Sequence, residues 1–376
     1  MKEWTIWDFP SNLEIQLKDN IRTEFFTTMY NIFGSQKAFA KFVHKERTAI
    51  QGYQYNRGWD LGQKHEKYIP LEILQKSLPL INNTLKQKLE MNITSIRCHG
   101  GKSISPILPI QESPELYRVI AHIIADGNDS HTPYYANTSK ELRESFKNDI
   151  QIFGEVICID SKTNTTPIVS FPKVITRISE KIFDIKFTHP THLPEHIFDT
   201  SDDCKAAFLQ ALYDDEGTIS TRLAINMNNI NIIKEIKILL DHFNIQTGKI
   251  TESRYISKQG EKTMYSISIN VESYQRFNKL ISFLHPEKIK CLNAAMQTKN
   301  RLQRTRPIIQ IEKEIIRVLI NNSTTTIEIA NTIQLTLNGT RFHLLRMQEE
   351  GKITRTGYKN KAIWNLTDVP NVSQNM

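Results

Sequence analysis

Two nine-residue stretches decide the fold: VIAHIIADG at 119–127 and LQALYDDEG at 209–217. Each predicts an apolar helix that contains small residues and finishes on a carboxylate followed by glycine. Ala121, Ala125 and Ala211 are small enough to let two such helices pack closely side by side. We expect the glycine after each carboxylate to adopt the left-handed conformation that ends many helices.

The last carboxylates of the two stretches, Asp126 and Glu216, stand at the negative end of a helix dipole. A second carboxylate nearby adds to the electrostatic repulsion, and a bound divalent cation would neutralise it. Two parallel helix ends would form a site of hard oxygen donors, which suits Mg²⁺ or another divalent cation. The pattern therefore predicts Asp126 and Glu216 as catalytic, metal-binding residues.

An internal repeat surrounds these stretches, with copies at 112–200 and 201–302. In each copy we expect strand-like segments after the motif, then a helix and then further strands; residues 264–271 alternate apolar and polar positions. Both copies then reach a His-Pro pair, His189-Pro190 and His285-Pro286. These pairs lie 63 residues after Asp126 and 69 residues after Glu216. Matching landmarks of this kind indicate duplication.

The second stretch closely resembles the motif of the LAGLIDADG homing endonucleases, while the first departs from it at His122 and Ile124. The chain is similar to the monomeric members that carry two motifs. This resemblance implies an α+β fold with a duplicated αββαββα core, whose two sheets straddle the major groove and cleave both DNA strands. It also implies that the last acid of each motif binds the metal.

A basic residue often stands near the metal in this family, and the resemblance implies Lys288 and Lys290 as candidates. Ordinary phosphate contacts are the alternative for both lysines. The strands of the second copy carry side chains suited to base edges: Arg222, Asn226, Asn228, Arg254 and Lys262. A solvated polar face remains the alternative for these five.

The segment before the repeat, 1–93, predicts a helix-turn-helix domain. Ser35 is placed to cap a helix over 36–43, and a second helix over 47–55 follows a turn. A polar loop then leads to a helix after Pro70. Three side chains suit contacts with bases and phosphates: Thr48, Gln51 and Gln54. A purely structural helical bundle is the alternative.

Two further segments flank the repeat. Residues 94–111, which include GGKS at 100–103, predict a flexible linker, because the full P-loop spacing is missing. Residues 303–376 predict three helices and a basic hairpin that contains Lys359, the pattern of a winged helix. Such a domain binds DNA or serves as a protein-interaction module.

The composition agrees with a nucleic-acid partner. The net charge is +8 and the pI about 9.1, which suits phosphate backbones, although solubility alone also accounts for such an excess. We expect a soluble cytoplasmic monomer, because neither a signal peptide nor an apolar run of about 18 residues is visible. The four cysteines form no CxxC pair, which argues against zinc knuckles and disulfides.

Three functions remain open. The leading one is a site-specific double-strand DNA endonuclease that uses Mg²⁺. The second is a DNA-binding transcriptional regulator on the same fold that no longer cuts. The third is an RNA maturase, which the predicted helix-turn-helix disfavours because A-form RNA hides its major groove. The retained pair of acids favours the nuclease over the regulator.

Overall fold

The computed structural model describes residues 2–56, 58–60, 63–65, 67–163, 166–219, 222–257, 260–299, 307–357 and 362–367. The chain forms two compact units, Met1–Asp215 and Glu216–Met376. The boundary between them falls inside the predicted 112–302 domain.

The first unit begins with short strands and helices. Their bounds are β1 (Glu3–Trp4), β2 (Leu13–Leu17), α1 (Asp19–Phe33), α2 (Gln36–Phe42), α3 (Arg47–Gln54), β3 (Gly58–Asp60), β4 (Gln63–His65), β5 (Ile69–Pro70), α4 (Leu71–Ser77), α5 (Asn83–Met91), β6 (Ile93–Cys98), β7 (Ser103–Pro106) and β8 (Ile110–Gln111). Helix α2 begins where the sequence predicts it, because Ser35 Oγ accepts a hydrogen bond from the Ala38 amide at 3.1 Å. The polar loop predicted before Pro70 instead contains the β3–β4 hairpin.

The rest of the first unit contains the first copy of the repeat and the helix that opens the second. The elements are α6 (Pro114–Asp126), β9 (Gly127–Asn128), β10 (Tyr134–Ala136), α7 (Lys140–Asp149), β11 (Gly154–Glu155), β12 (Ile159–Thr163), β13 (Thr166–Ser170), α8 (Lys173–Phe183), α9 (His196–Asp199) and α10 (Asp202–Asp215). Four of the strands form an antiparallel sheet in the order β12-β13-β10-β9. Tyr135 and Val169 are paired in its centre, and both are fully buried.

A five-stranded sheet, β11-β7-β6-β2-β5, ties the N-terminal segment to the first copy. The prediction of a linker over 94–111 is therefore wrong. The GGKS stretch lies at the turn of the β6–β7 hairpin, with Gly100 at φ 67°. Glycine and serine mark this turn in the sequence, and the same residue types mark linkers. The short strands beside the turn are what distinguish the two.

The second unit continues the second copy with β14 (Gly217–Ile219), β15 (Leu223–Met227), α11 (Ile230–His242), β16 (Thr251–Ser257), β17 (Gly260–Ser268), α12 (Tyr274–Leu280) and α13 (Pro286–Lys299). Its sheet runs β14-β15-β17-β16. Both sheets therefore follow one order: first strand, second, fourth, third. Together with the helices, this is the duplicated αββαββα arrangement, and the fold is α+β.

The C-terminal elements are α14 (Ile308–Asn321), β18 (Thr324–Thr325), α15 (Thr326–Thr332), α16 (Leu337–Glu349), β19 (Ile353–Thr356) and β20 (Ile363–Leu366). The strands form a sheet in the order β18-β20-β19. Ile315, Ile329 and Leu344 are fully buried, one from each helix, and pack with Trp364 of β20 in one core. Thr325 and Glu328 form a capping box that begins α15.

None of the helices in the described ranges is long and apolar enough to cross a membrane.

Gly127 follows α6 and corrects the expectation of a left-handed glycine. Its φ and ψ are −83° and 156°, which is extended backbone. The residue is nonetheless restricted to glycine, because a Cβ would lie 2.3 Å from the carbonyl oxygen of Ile123. Close backbone approach therefore replaces the left-handed conformation as the reason for glycine.

Replacing Gly127 by Ala should consequently destabilise the first unit by about 1–3 kcal/mol, as overpacking does elsewhere. Gly101→Ala is the matched control, since its Cβ would meet nothing closer than 3.4 Å. Thermal unfolding of the two variants checks this. Equal melting temperatures would contradict the steric argument.

Candidate active site at the ends of the two motif helices

Helix α6 is built to deliver a carboxylate at its C-terminal end. Ser113 caps its start, accepting from the Leu116 amide at 3.3 Å, and Pro114 occupies the first turn. Val119, Ile120 and other apolar side chains of the helix are fully buried. The helix ends at Asp126, which is partly exposed.

Helix α10 packs closely against α6. The two faces present small residues, and Ala121 and Ala211 are 0% and 1% exposed. This confirms the close helix packing expected from the alanines. Helix α10 ends at Asp215, one residue earlier than the motif suggested, and Glu216 follows directly. A trans peptide fixes their Cα atoms about 3.8 Å apart.

Asp215 lies at the centre of a buried polar cluster. Its side chain is 0% exposed, and His122 of α6 lies with Nδ1 2.7 Å from Asp215 Oδ2. The hydroxyl of Tyr135 donates to Asp215 Oδ1 at 2.7 Å, and the amide of Asn137 donates to the same oxygen at 3.0 Å. Both oxygens of this carboxylate are thus engaged by the first copy.

Asp126 joins the cluster through Asn137. The Asn137 amide nitrogen lies 3.4 Å from Asp126 Oδ2, a longer contact than the one it makes with Asp215. One amide group therefore stands between two carboxylates, one from each motif helix. Asn137 is 8% exposed, so this arrangement is largely shielded from solvent.

Burial and charge oppose each other at His122. Burial lowers the pKa of the imidazole, but the charge and hydrogen bond of Asp215, with smaller effects of Asp214 and Asp149, outweigh it and raise the pKa above its ordinary value. Burial and the neighbouring carboxylates raise the pKa of Tyr135 as well, so its hydroxyl stays protonated and donates.

The raised pKa of His122 predicts a pH dependence of stability. A pKa that is higher in the folded than in the unfolded state adds stability that is fully present below the unfolded value, about 6.5. That stability is lost as the pH rises through the higher folded value. In EDTA, the melting temperature of the first unit should therefore fall over this window. A variant carrying His122→Leu and Asp215→Leu should lack this component, and an equal fall in that variant would contradict the assignment.

A protein-family model matches part of the chain. Residues 203–282, which begin in α10 and end after α12, match the family described as LAGLIDADG-like domain. This part of the chain is similar to a LAGLIDADG-like domain.

Comparison with solved structures finds three chains that resemble parts of this one. I-DmoI, solved in complex with DNA and Mn, is 15% identical, covers 45% of this chain and 96% of its own, with a TM-score of 0.33. I-WcaI, bound to its DNA recognition sequence, is 14% identical over 48% of this chain and 86% of its own, with a TM-score of 0.32. Full-length DUF199/WhiA from Thermatoga maritima is 16% identical over 64% and 92%, with a TM-score of 0.31. Likenesses of this size say nothing about activity.

A curated relative matches a longer stretch of sequence. The glutamine–fructose-6-phosphate aminotransferase (isomerizing) of Methanocaldococcus jannaschii is 25% identical over 230 residues, which is 58% of this chain. The match covers 21% of that protein, so the chain spans about a fifth of its length.

The predicted lysines lie on α13, after the end of the matched residues 203–282. Lys288 Nζ lies 5.8 Å from the centroid of the Phe283 ring. Lys290 acts electrostatically on Glu328 of α15, where it helps to lower the pKa of that carboxyl after the hydrogen bonds from Thr324 and Thr325. A catalytic role for either lysine stays a prediction.

The predicted base-reading residues of the second sheet divide between its faces. Asn226 pairs with Ser266, and Lys262 pairs with Tyr255, which puts them on one polar face because paired residues share a side. Arg254 falls on the opposite face, where it contacts Glu252 at 3.3 Å. Two further residues, Arg222 and Asn228, flank β15 and are exposed.

The predicted DNA-contacting residues of the N-terminal segment lie on α3. Thr48 is exposed and Gln51 partly exposed. Gln54 Oε1 accepts a hydrogen bond from Tyr30 of α1 at 2.9 Å, so part of its amide group ties two helices together. Lys359, the predicted contact of the C-terminal hairpin, lies outside the described residues.

Three members of the buried cluster escaped the sequence analysis: Tyr135, Asn137 and Asp215. One signal was available, because His122 interrupts an otherwise apolar helix and a buried histidine needs a partner. A second was the acid at 215, which stands where the first copy has Ala125.

Proposed function

We propose that this protein is a site-specific double-strand DNA endonuclease that requires a divalent cation and acts as a monomer in the cytoplasm. One observation carries the proposal. Two motif helices pack side by side, and each ends on an acid, Asp126 for α6 and Asp215 followed by Glu216 for α10. Carboxylates gathered at the negative ends of two helices are unfavourable without a cation.

The donor set fits Mg²⁺. Asp126 is partly exposed, and its contact with Asn137 is long at 3.4 Å, which suits an oxygen that also serves a cation. Within the described parts of the chain, no three His, Cys, Asp or Glu side chains group as a complete metal cage. Asp126 and Glu216 would hold the ion together with phosphate oxygens of the substrate. Bound there, the ion would supply an activated water and stabilise the leaving oxygen.

The buried residues have a different role from the two metal-binding acids. Asp215 accepts hydrogen bonds from His122, Tyr135 and Asn137, so we assign it the role of fixing α10 against α6 rather than that of a ligand. Lys288 and Lys290 remain our candidates for a cation near the developing charge of the phosphate.

DNA contacts would come from three parts of the chain. The polar face of the second sheet would read bases through Asn226 and Lys262, with Arg222, Asn228 and Arg254 at its margins. Helix α3 would add Thr48, Gln51 and Gln54 in a helix-turn-helix. The C-terminal elements, which we interpret as a winged helix, would add Lys359. Such tethered modules raise affinity without enlarging the sheet interface.

A DNA-binding regulator is the second candidate, favoured by the absence of described basic residues from the open face of the first sheet. Strand alternation puts no Lys or Arg of the described residues on the open face of the first sheet, which carries Asn128, Tyr134 and Ser170. Cleavage requires firm positioning of the phosphates, whereas a regulator can bind through its flanking modules alone.

The test is to incubate the purified protein with a sequence-diverse duplex DNA library, with Mg²⁺ or with EDTA, and to sequence new ends. Recurrent ends that need Mg²⁺ would support the endonuclease. Selective retention of some duplexes without new ends would favour the regulator and overturn the nuclease proposal.

A further inference from the structure

Asn137 occupies the junction between the first sheet and the two motif helices. It directly follows β10 and is held in place on both sides of its side chain. Its Oδ1 accepts from the Ser139 amide at 2.9 Å, while its Nδ2 faces the carboxylates of Asp215 and Asp126. The opposite orientation would set an oxygen against two carboxylates, so the amide has only one favourable orientation.

The backbone of Asn137 is fixed as well. Arg143 of α7 donates from Nη1 to the Asn137 carbonyl oxygen at 2.7 Å. The side chain therefore starts from an anchored position and has little freedom to follow Asp126 if that carboxylate rotates. The Asn137 amide lies 3.0 Å from Asp215 and 3.4 Å from Asp126. The shorter bond indicates that Asp215 holds the amide and that the amide in turn orients Asp126.

Asp215 serves as the fixed end of this arrangement. Its other oxygen is engaged by His122, and Tyr135 shares the oxygen that Asn137 contacts. A carboxylate with three donors and a side chain that is 0% exposed cannot turn toward a cation without leaving buried donors unpaired.

We propose that Asn137 is a positioning residue that orients the Asp126 carboxylate for the divalent cation, with its own amide held by Asp215 and Ser139. This inference rests on the proposed endonuclease function and deepens it. Because Asn137 follows a strand of the first sheet, it also connects that sheet to the metal-binding acid.

A double-mutant cycle with Asp126→Asn tests the proposal without requiring cleavage. Mn²⁺ affinity is measured by calorimetry on the full chain. Asn137→Ala should weaken Mn²⁺ binding about tenfold in the wild-type background, as loss of a residue that orients a metal ligand does elsewhere. In the Asp126→Asn background the same substitution should change the affinity less than twofold, because its target is gone.

A metal-free readout comes from thermal unfolding in EDTA. Without the amide, the carboxylates of Asp126 and Asp215 face each other with less compensation. Asn137→Ala should therefore lower the melting temperature about 2–4 °C more in the wild-type background than in Asp126→Asn. If Asn137→Ala fails to fold, Asn137→Ser replaces it, since a serine hydroxyl can still accept from the Ser139 amide but is too short to orient Asp126.

The outcomes separate this inference from the function on which it rests. If Asp126→Asn weakens Mn²⁺ binding but Asn137→Ala does not, the positioning role is overturned and the metal site stands. Equal effects of the Asn137 variant in both backgrounds would show that it acts through general stability and would also overturn it. If Asp126→Asn leaves Mn²⁺ affinity unchanged, the metal site itself fails and the positioning role fails with it.

Discussion

Replacing Asp126 by Asn is expected to lower the rate of double-strand cleavage by about 10²–10³-fold, the loss typical of removing one group that stabilises a transition state. Glu216→Gln should have an effect of the same size. Each substitution keeps the shape of the side chain but removes the charge that attracts the divalent cation. Cleavage of a duplex carrying the preferred site, followed on a gel over time, measures the rate.

The stability of the Asp126→Asn variant should not fall with its activity. Asp126 stands at the negative end of α6 beside a second carboxylate, so its charge opposes folding when no cation is bound. Asp126→Asn should therefore leave the melting temperature in EDTA unchanged or higher. A lost activity combined with retained stability would mark a functional acid, because strain of this kind is kept for function.

Asp203→Asn provides the matched control, since Asp203 is an exposed carboxylate in the first turn of α10, at the other end of that helix. It should cut at the wild-type rate. If Asp126→Asn and Glu216→Gln both cut as fast as this control, the cleavage centre lies elsewhere and our assignment of the acids is wrong.

The sequence predicted the helices and the repeat well because these depend on local pattern. Apolar residues recur at helical spacing through the two motif stretches, 119–127 and 209–217. Strand β17 was found for the same reason, because apolar and polar residues alternate through 264–271. Helix α10 begins at Asp202, before the predicted stretch, and ends at Asp215, one residue before the acid that the motif suggested.

The buried cluster was harder to predict because it depends on register between elements far apart in the chain. His122 and Asp215 are 93 residues apart, and only the packing of α6 on α10 brings them together. The resemblance to the motif points to Asp126 and Glu216 as the metal-binding acids. It does not point to Asp215, which is buried beside them. The linker prediction failed for a similar reason. Strands β6 and β7 pair with β2 and β11, which lie far from them in the sequence.

The two faces of the second sheet also depend on strand register, which the sequence does not show directly. Arg254 and Lys262 look equivalent in the sequence, since both are basic and lie in neighbouring strands. Their pairing partners, Thr263 and Tyr255, put them on opposite faces. Shifting the register by one residue would reverse the assignment, so composition alone cannot decide which of the two reaches DNA.

Replacing His122 by Leu is expected to destabilise α6 by about 3–5 kcal/mol, the cost of breaking a buried ion pair by removing one partner. Leucine fills a similar volume, so the loss reflects the charge left behind on Asp215, whose side chain is 0% exposed. Tyr135 and Asn137 would still donate to one oxygen of Asp215, but the other would lose its partner. Hydrogen exchange of peptides from 114–126, measured in EDTA, reports the local free energy of opening.

The combination of His122→Leu with Asp215→Leu separates charge from shape. With both charges removed, apolar side chains fill the interface between α6 and α10, and replacing a buried pair in this way is often neutral or stabilising. The double variant should therefore recover most of the protection lost in His122→Leu. If it is as unprotected as the single variant, the His122–Asp215 pair does not act as a unit, and packing of the imidazole against Tyr135 and Phe146 would be the main contribution. Recovery would show instead that the His122–Asp215 pair is dispensable for folding. We would then attribute the burial of this pair between α6 and α10 to its role in orienting the acids through Asn137.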